Sequence, residues 1–126
     1  MIYISTPSAE TDPRTAKENI SFVKQRIFEL GALVIDPLKL GIPETWSKKE
    51  KEAKRIQIIQ EKATALFLQR EWYKSQDAMI EFHAIYRFNQ DRRNRRIYIY
   101  FEEMHGFSEI ESDIREGILI PEIPAA

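Results

Sequence analysis

Met1-Ile-Tyr-Ile-Ser-Thr-Pro-Ser8 opens the chain, and its reading decides the fold. Ile2 to Ser5 carries no charge and is rich in β-branched and aromatic residues, the composition of a short buried strand. The strand ends on hydroxyls, and Pro7 to Thr11 reads as a loop. Asp12-Pro13 then supplies an N-cap followed by proline at the first helical position. Ala16, Ile20, Val23, Ile27 and Leu30 follow at three- and four-residue spacing, which predicts a helix with one apolar stripe. Gly31 is placed to end that helix in a left-handed conformation.

The same unit recurs downstream. Ala32 to Ile35 reads as a second strand, closed by Asp36-Pro37. After a loop through Gly41 and Pro43, Ser47-Lys-Lys-Glu50 is a capping box opening a helix, with Ala53, Ile56, Ile59 and Ala63 facing inward. Ala65 to Leu68 is a third strand, and its continuous apolar character suits a sheet covered on both faces. Ser75 to about Asn89 reads as a third helix with Ala78, Phe82 and Ile85 on its buried stripe, and Ile97 to Phe101 as a fourth strand. Strands alternating with helices predict an α/β fold: a parallel sheet with helices on both faces, strand order 2-1-3-4. Residues 1–101 form this domain. Residues 102–126 are first acidic, with Phe107, Ile110 and Ile114 at rough helical spacing, then apolar. They are expected to dock on the same domain or on a neighbouring subunit.

Composition narrows the chemistry. In 126 residues, 43% hydrophobic and 31% charged content is that of a globular domain, and a formal charge of −1 provides no global field toward nucleic acid or anionic lipid. With no cysteine, disulfides, zinc–thiolate sites and a thiol nucleophile are excluded. No apolar run approaches the ~20 residues of a membrane span, and the N-terminus lacks a signal-peptide pattern, so a cytoplasmic protein is expected. Gly31, Gly41, Gly106 and Gly117 form neither a dinucleotide fingerprint nor a phosphate loop. His83 and His105 have no ligand-spaced partners, so neither a metal nor another cofactor is expected.

In an open α/β sheet, ligands bind beyond the carboxyl ends of the strands where their order reverses, here between the first and third. That crevice is predicted to gather Tyr3, Ser5, Thr6 and Ser8 from the first exit. From the third it takes Trp72, Ser75, Asp77 and Glu81. A carboxylate at Glu81 could attack an anomeric carbon and form a glycosyl ester that a second acceptor opens; a solvated helix glutamate is the plainer reading. Asp77, four residues earlier, would repel it and raise its pKa, with Lys74 or Arg70 as offsetting cations. Ser5, Thr6 and Ser8 offer hydroxyls to a sugar or phosphate, or only satisfy the turn. Arg14, in the first turn of a helix where a cation opposes the dipole, could grip an anion or pair with Glu10. Trp46 and Trp72 could stack on a nucleobase or pack at the core edge. Arg92-Arg93-Asn94-Arg95-Arg96 reads as a solvated turn at the far end of the sheet, and nucleic-acid binding as the weaker alternative.

Tyr3-Ile-Ser-Thr-Pro7, Ala65-Leu-Phe-Leu68 followed by Trp72, and Ser75 six residues before Glu81 together resemble the nucleoside 2-deoxyribosyltransferase-like superfamily, above all its short bacterial and phage members. The resemblance runs from Met1 to about Phe101. It implies a flavodoxin-like fold that cleaves or transfers N-glycosidic bonds of 2-deoxynucleosides or their 5′-monophosphates. On that resemblance Glu81 matches the nucleophile, Tyr3 a phenol orienting it, and Ser75 a hydroxyl binding the sugar-phosphate side. It also implies homo-oligomers in which a neighbour's C-terminal region completes the pocket. The chain departs from the pattern at three positions. Thr6 and Asp77 stand where the family has glycines, and Ile56, flanked by Arg55 and Gln57, stands where active enzymes carry the aspartate that protonates the leaving base. Glu52 lies one turn earlier. General-acid help of that kind contributes roughly 10²–10⁴-fold. The alternative is therefore a catalytically weakened member that only binds a nucleotide-like ligand or a protein partner.

Overall fold

In the computed structural model, which describes residues 1–123, β1 (Ile2–Ile4) lies between β2 (Val34–Ile35) and β3 (Ala65–Leu68). β4 (Tyr98–Phe101) flanks β3, giving the order β2-β1-β3-β4. Every pairing is parallel, with Tyr3 beside Ile35 on one side and Leu66 on the other. Because successive side chains point to opposite faces, β1 feeds two cores. Ile2 and Ile4, with Phe67 and Tyr100, meet Ile20, Val23 and Ile27 of α1 (Pro13–Glu29) and Ile110 of α4 (Gly106–Arg115). Tyr3, Leu66, Leu68 and Ile97 meet Ile59 of α2 (Lys48–Lys62) and Ile85 of α3 (Gln76–Gln90). The result is a three-layer, flavodoxin-like α/β fold. Each fully buried aliphatic side chain contributes about 1.5–3 kcal/mol.

The edge strands are shorter than their composition predicts. β2 loses Ala32 because its N–H still bonds Ile27 of the preceding helix. β4 loses Ile97, whose backbone groups are both taken by the Asn89 carboxamide. α2 is also rotated from the expected phase: Arg55, Ile58 and Ile59 are buried, whereas Ala53 is exposed and Ile56 half-buried. The turn follows from Arg55, whose guanidinium is drawn inward by carboxylates of α3. The expected capping box is present, with Ser47 Oγ accepting from Glu50 N and Glu50 returning to Ser47 N.

The segment after β4 packs against this same chain. A short 3-10 turn (Glu102–Met104) leads into α4, and Leu119 is buried beside α1. Gly31 ends α1 at φ +101°, and its carbonyl accepts from the N–H groups of Glu122 (2.9 Å) and Ile123 (3.2 Å). The Glu122 carboxylate pairs with the N-terminal ammonium at 2.9 Å. Residues 124–126 of the expected extension lie outside the described residues. No helix among the described residues is long and apolar enough to cross a membrane.

Gly106 is the one glycine held by a close approach: an added Cβ would stand 2.6 Å from the Phe101 carbonyl oxygen and 3.1 Å from the Phe67 ring. The backbone oxygen cannot yield without moving the end of β4. Gly106→Ala is therefore expected to cost about 1–3 kcal/mol, read as a lowered urea midpoint with unchanged slope. An unchanged midpoint would show that α4 can slide away from the sheet freely.

Candidate functional site

The exits of β1 and β3 are zipped together before any pocket opens. Ser5 N donates to the Phe67 carbonyl, and Ser5 Oγ accepts from Gln69 N at 3.0 Å. The Gln69 carboxamide donates to the Ser5 carbonyl at 2.8 Å. Ser5 is buried, and its hydroxyl is already committed to joining the strands. Gln69, which no sequence motif distinguished, is its partner.

One residue further on, the chain is clamped to α3. Ser75 is the N-cap of α3: its Oγ accepts from Ala78 N (3.1 Å) and donates to the Thr6 carbonyl (2.8 Å). Thr6 N donates to Glu81 Oε1 at 2.9 Å. The Thr6 hydroxyl makes a short bond to Glu81 Oε2, and the Tyr3 phenol donates to the same oxygen at 3.0 Å. The position read as a possible solvated glutamate is thus 1% exposed, and both its oxygens are occupied.

Arg55 is the residue that sequence reasoning missed. Its Nε lies 3.4 Å from Glu81 Oε2, and a second guanidinium nitrogen lies 3.0 Å from Asp77 Oδ1. It stands between the two carboxylates, so Asp77 answers Arg55 and does not confront Glu81. The predicted offsetting cations lie elsewhere. Lys74 pairs with Glu71, and among the described residues no ion pair joins the Arg70 side chain to either carboxylate. Burial is the main cause that pushes the Glu81 carboxyl up, to about 7, against the opposing pull of the Thr6 and Tyr3 donors and Arg55. Desolvation, and not the expected Asp77 repulsion, is the largest cause. Burial, reinforced by the Glu81 charge, likewise raises the Tyr3 phenol well above its ordinary range, so Tyr3 remains a proton donor.

The crevice itself lies on the other side of this clamp. It has a volume of about 380 Å³, between the loop after β1, the first turns of α1, and the loop after β3. Ser5, Thr6, Ser8, Thr11, Thr15 and Asn19 face it from one wall, and Arg70, Trp72, Lys74 and Ser75 from the other. Glu81 does not line it, because Thr6 intervenes. Trp72 borders it while its indole packs edge-on against Phe82 at 5.0 Å, so the ring is both wall and core edge.

Besides Tyr3 and Glu81, neither of which lines it, three more expected members lie away from the crevice. Arg14 points outward and pairs with Glu18, one turn on, and not with Glu10. Trp46 is exposed in the loop before α2, outside the lining. Asp77 belongs to the Arg55 pair behind the clamp. At the far end of the sheet the arginine run is only partly solvated. Arg95 donates to the carbonyls of Ala63 and Gln60, closing the C-terminus of α2, and Arg93 pairs with Asp91. No cluster of metal-ligating side chains occurs among the described residues.

No protein-family model, curated protein or solved structure matches this chain.

Proposed function

We propose that this protein binds a nucleotide-like small molecule in the crevice between the β1 and β3 exits, and that Glu81 anchors the binding loop without attacking the ligand. The sealed state of Glu81 carries this reading. A carboxylate nucleophile needs a free lone pair directed at the anomeric carbon. Here Oε2 accepts from the Tyr3 phenol and the Thr6 hydroxyl and faces Arg55, Oε1 accepts from Thr6 N and keeps one lone pair, and the Thr6 side chain stands between the carboxylate and the crevice. The crevice volume of about 380 Å³ falls within the ~300–1,000 Å³ of small-molecule sites. Its hydroxyls, the Asn19 amide and the Trp72 edge suit a polar ring system. Glu10 and Glu71 also line it, and because Lys74 pairs with Glu71, Arg70 is the lining cation with no ion pair among the described residues to meet an anionic group.

The alternative is N-glycosidic cleavage or transfer on 2-deoxynucleosides or their 5′-monophosphates through Glu81. The convergence of Tyr3, Glu81 and, through Thr6, Ser75 favours it. It requires the Thr6 loop to swing off Oε2 and an acid to reach the leaving base.

The two readings separate in one experiment. A panel of deoxynucleosides and their monophosphates is titrated calorimetrically, and the same mixtures are incubated with and without a second free base and chromatographed for released or exchanged base. Saturable binding with no base release is the expected result. Release that disappears in Glu81→Gln, which keeps the side-chain shape but cannot form the ester, would establish the enzyme. Absence of both binding and release across the panel would refute the nucleotide-like ligand.

A further inference from the structure

A second pocket adjoins the crevice. It has a volume of about 330 Å³ and is lined by Asn19, Phe22, Gln69, Arg70, Glu71 and Glu102. Asn19, Gln69, Arg70 and Glu71 line the crevice as well, so the two hollows are chambers of one trough. One face of α1 runs along both. Thr15, Asn19 and Phe22 recur on it at four- and three-residue spacing, polar beside the crevice and aromatic beside the second chamber. Across from them Arg70 and Glu71 form the waist. Glu71 holds a left-handed backbone at φ +61°, uncommon outside glycine. The 3-10 turn after β4 fixes it there: Arg70 N donates to Glu102 Oε1 at 2.9 Å, and Glu71 N to Glu103 Oε1 at 2.8 Å. With those backbone donors committed, the waist meets a ligand through its side chains.

Each part of the trough favours a different chemistry. The crevice offers hydroxyls, the Asn19 amide and the Trp72 edge to a sugar and its base. Arg70, with no ion pair among the described residues, stands at the waist, where an anion belongs. The second chamber disfavours another anion, because Glu71 and Glu102 line it. What it offers is an aromatic ring and carboxylate acceptors. Phe22 stands nearly perpendicular to Phe107, with ring centroids 6.3 Å apart, and is still 57% exposed. A base with an exocyclic amino group matches both features, since its face stacks on the ring and its N–H groups donate to a carboxylate. An anion flanked by two such ring systems is a phosphodiester between two nucleosides.

We propose that the trough binds a dinucleotide, with the 3′ nucleoside in the crevice, the bridging phosphate at Arg70, and an amino-bearing 5′ base such as adenine against Phe22 and Glu102. This rests on the nucleotide-like reading of the crevice and extends it past the waist. The order of the two nucleosides follows from the linker. A nucleoside whose 5′ phosphate meets Arg70 is extended through that phosphate, so the second nucleoside joins by its 3′ oxygen.

Calorimetry tests this with the four deoxynucleoside 5′-monophosphates, their 5′-methyl phosphate esters, and the dinucleotides d(ApN) and d(TpN). The methyl ester has the charge of the linker without the second ring. d(ApN) is expected to bind about tenfold more tightly than the matching ester, the order of one stacked base. It is also expected to outbind d(TpN), whose thymine turns carbonyl oxygens toward the carboxylates. Phe22→Ala, at an exposed helix position and with the far-UV spectrum confirming the fold, is expected to abolish the gain while the ester binds as before. Arg70→Gln is expected to weaken all four kinds of ligand. Monophosphates that bind while d(ApN) gains nothing over the ester, or a gain indifferent to Phe22→Ala, would overturn the second chamber and leave the crevice reading standing. Equal gains from d(ApN) and d(TpN) would overturn the amino-bearing base. If no ligand of the set binds, the crevice reading and this inference fall together.

Discussion

Glu81→Ala is expected to lower the stability of this domain by about 3–5 kcal/mol, because several buried donors lose their acceptor at once. The substitution removes the acceptor for Thr6 N, the Thr6 hydroxyl and the Tyr3 phenol together, and leaves Arg55 Nε buried beside a void. That nitrogen already has no hydrogen-bond partner of good geometry and relies on the 3.4 Å ion pair alone. Each buried donor left unmatched costs roughly 1–3 kcal/mol, and small domains hold only about 5–15 kcal/mol in total. The loss would appear as a large drop in the urea midpoint. The defect would also be local: Ser75 still caps α3 and still reaches the Thr6 carbonyl. Amide exchange should therefore accelerate most at Thr6. A loss below about 1 kcal/mol, the scale of an exposed ion pair, would show that Glu81 is not the anchor of the loop.

The position of Glu81 was legible in the sequence, but its state was not. Residue 81 is three after Ala78 and four before Ile85, so helical phase alone sets it on the buried stripe of α3. Its identity as a carboxylate argued outward, because a lone buried charge is costly. What resolves the conflict is Arg55, which lies on a different helix. The apolar residues of α2 fit two phases, and the one through Ala53 and Ile56 hid the arginine. The topology was legible because strand and helix periods alternate cleanly and each of the three helices that connect the strands carries its own start signal, Asp12, Ser47 or Ser75. The crevice lining was legible where it follows strand exits, at Thr6, Ser8, Trp72 and Ser75. It failed at Arg14 and Trp46, whose direction depends on loop and helix rotation that no local pattern encodes. Thr6 marks the limit of such reading. It stands where the resemblance places a glycine, and its hydroxyl and N–H bind the carboxylate that the pocket would have used.

The same burial makes the stability of this protein depend on pH in a direction opposite to that of most carboxylates. In the unfolded chain Glu81 titrates at its ordinary value of 4.5, whereas in the fold burial holds it at about 7. Between those values the native state keeps a proton that the unfolded state has released. The native state binds more protons there, so stability falls as pH rises. The contribution is fully present below 4.5 and is lost once pH passes about 7. At about 1.4 kcal/mol per pH unit, that interval corresponds to roughly 3 kcal/mol. Glu50 and Asp91 act in the reverse sense, since backbone and side-chain donors at Ser47 and Arg93 lower their pKa values, so a wild-type profile alone would mix opposing trends. The informative quantity is the difference between wild type and Glu81→Gln, whose amide cannot ionise. Urea unfolding of both from about pH 4 to about pH 8 should show the wild type losing ground to the variant with rising pH. Parallel profiles would mean that Glu81 is ionised throughout and that Arg55 and the three donors outweigh its desolvation. In that case a charged carboxylate would stand ready at neutral pH, and only the Thr6 side chain would separate it from the crevice.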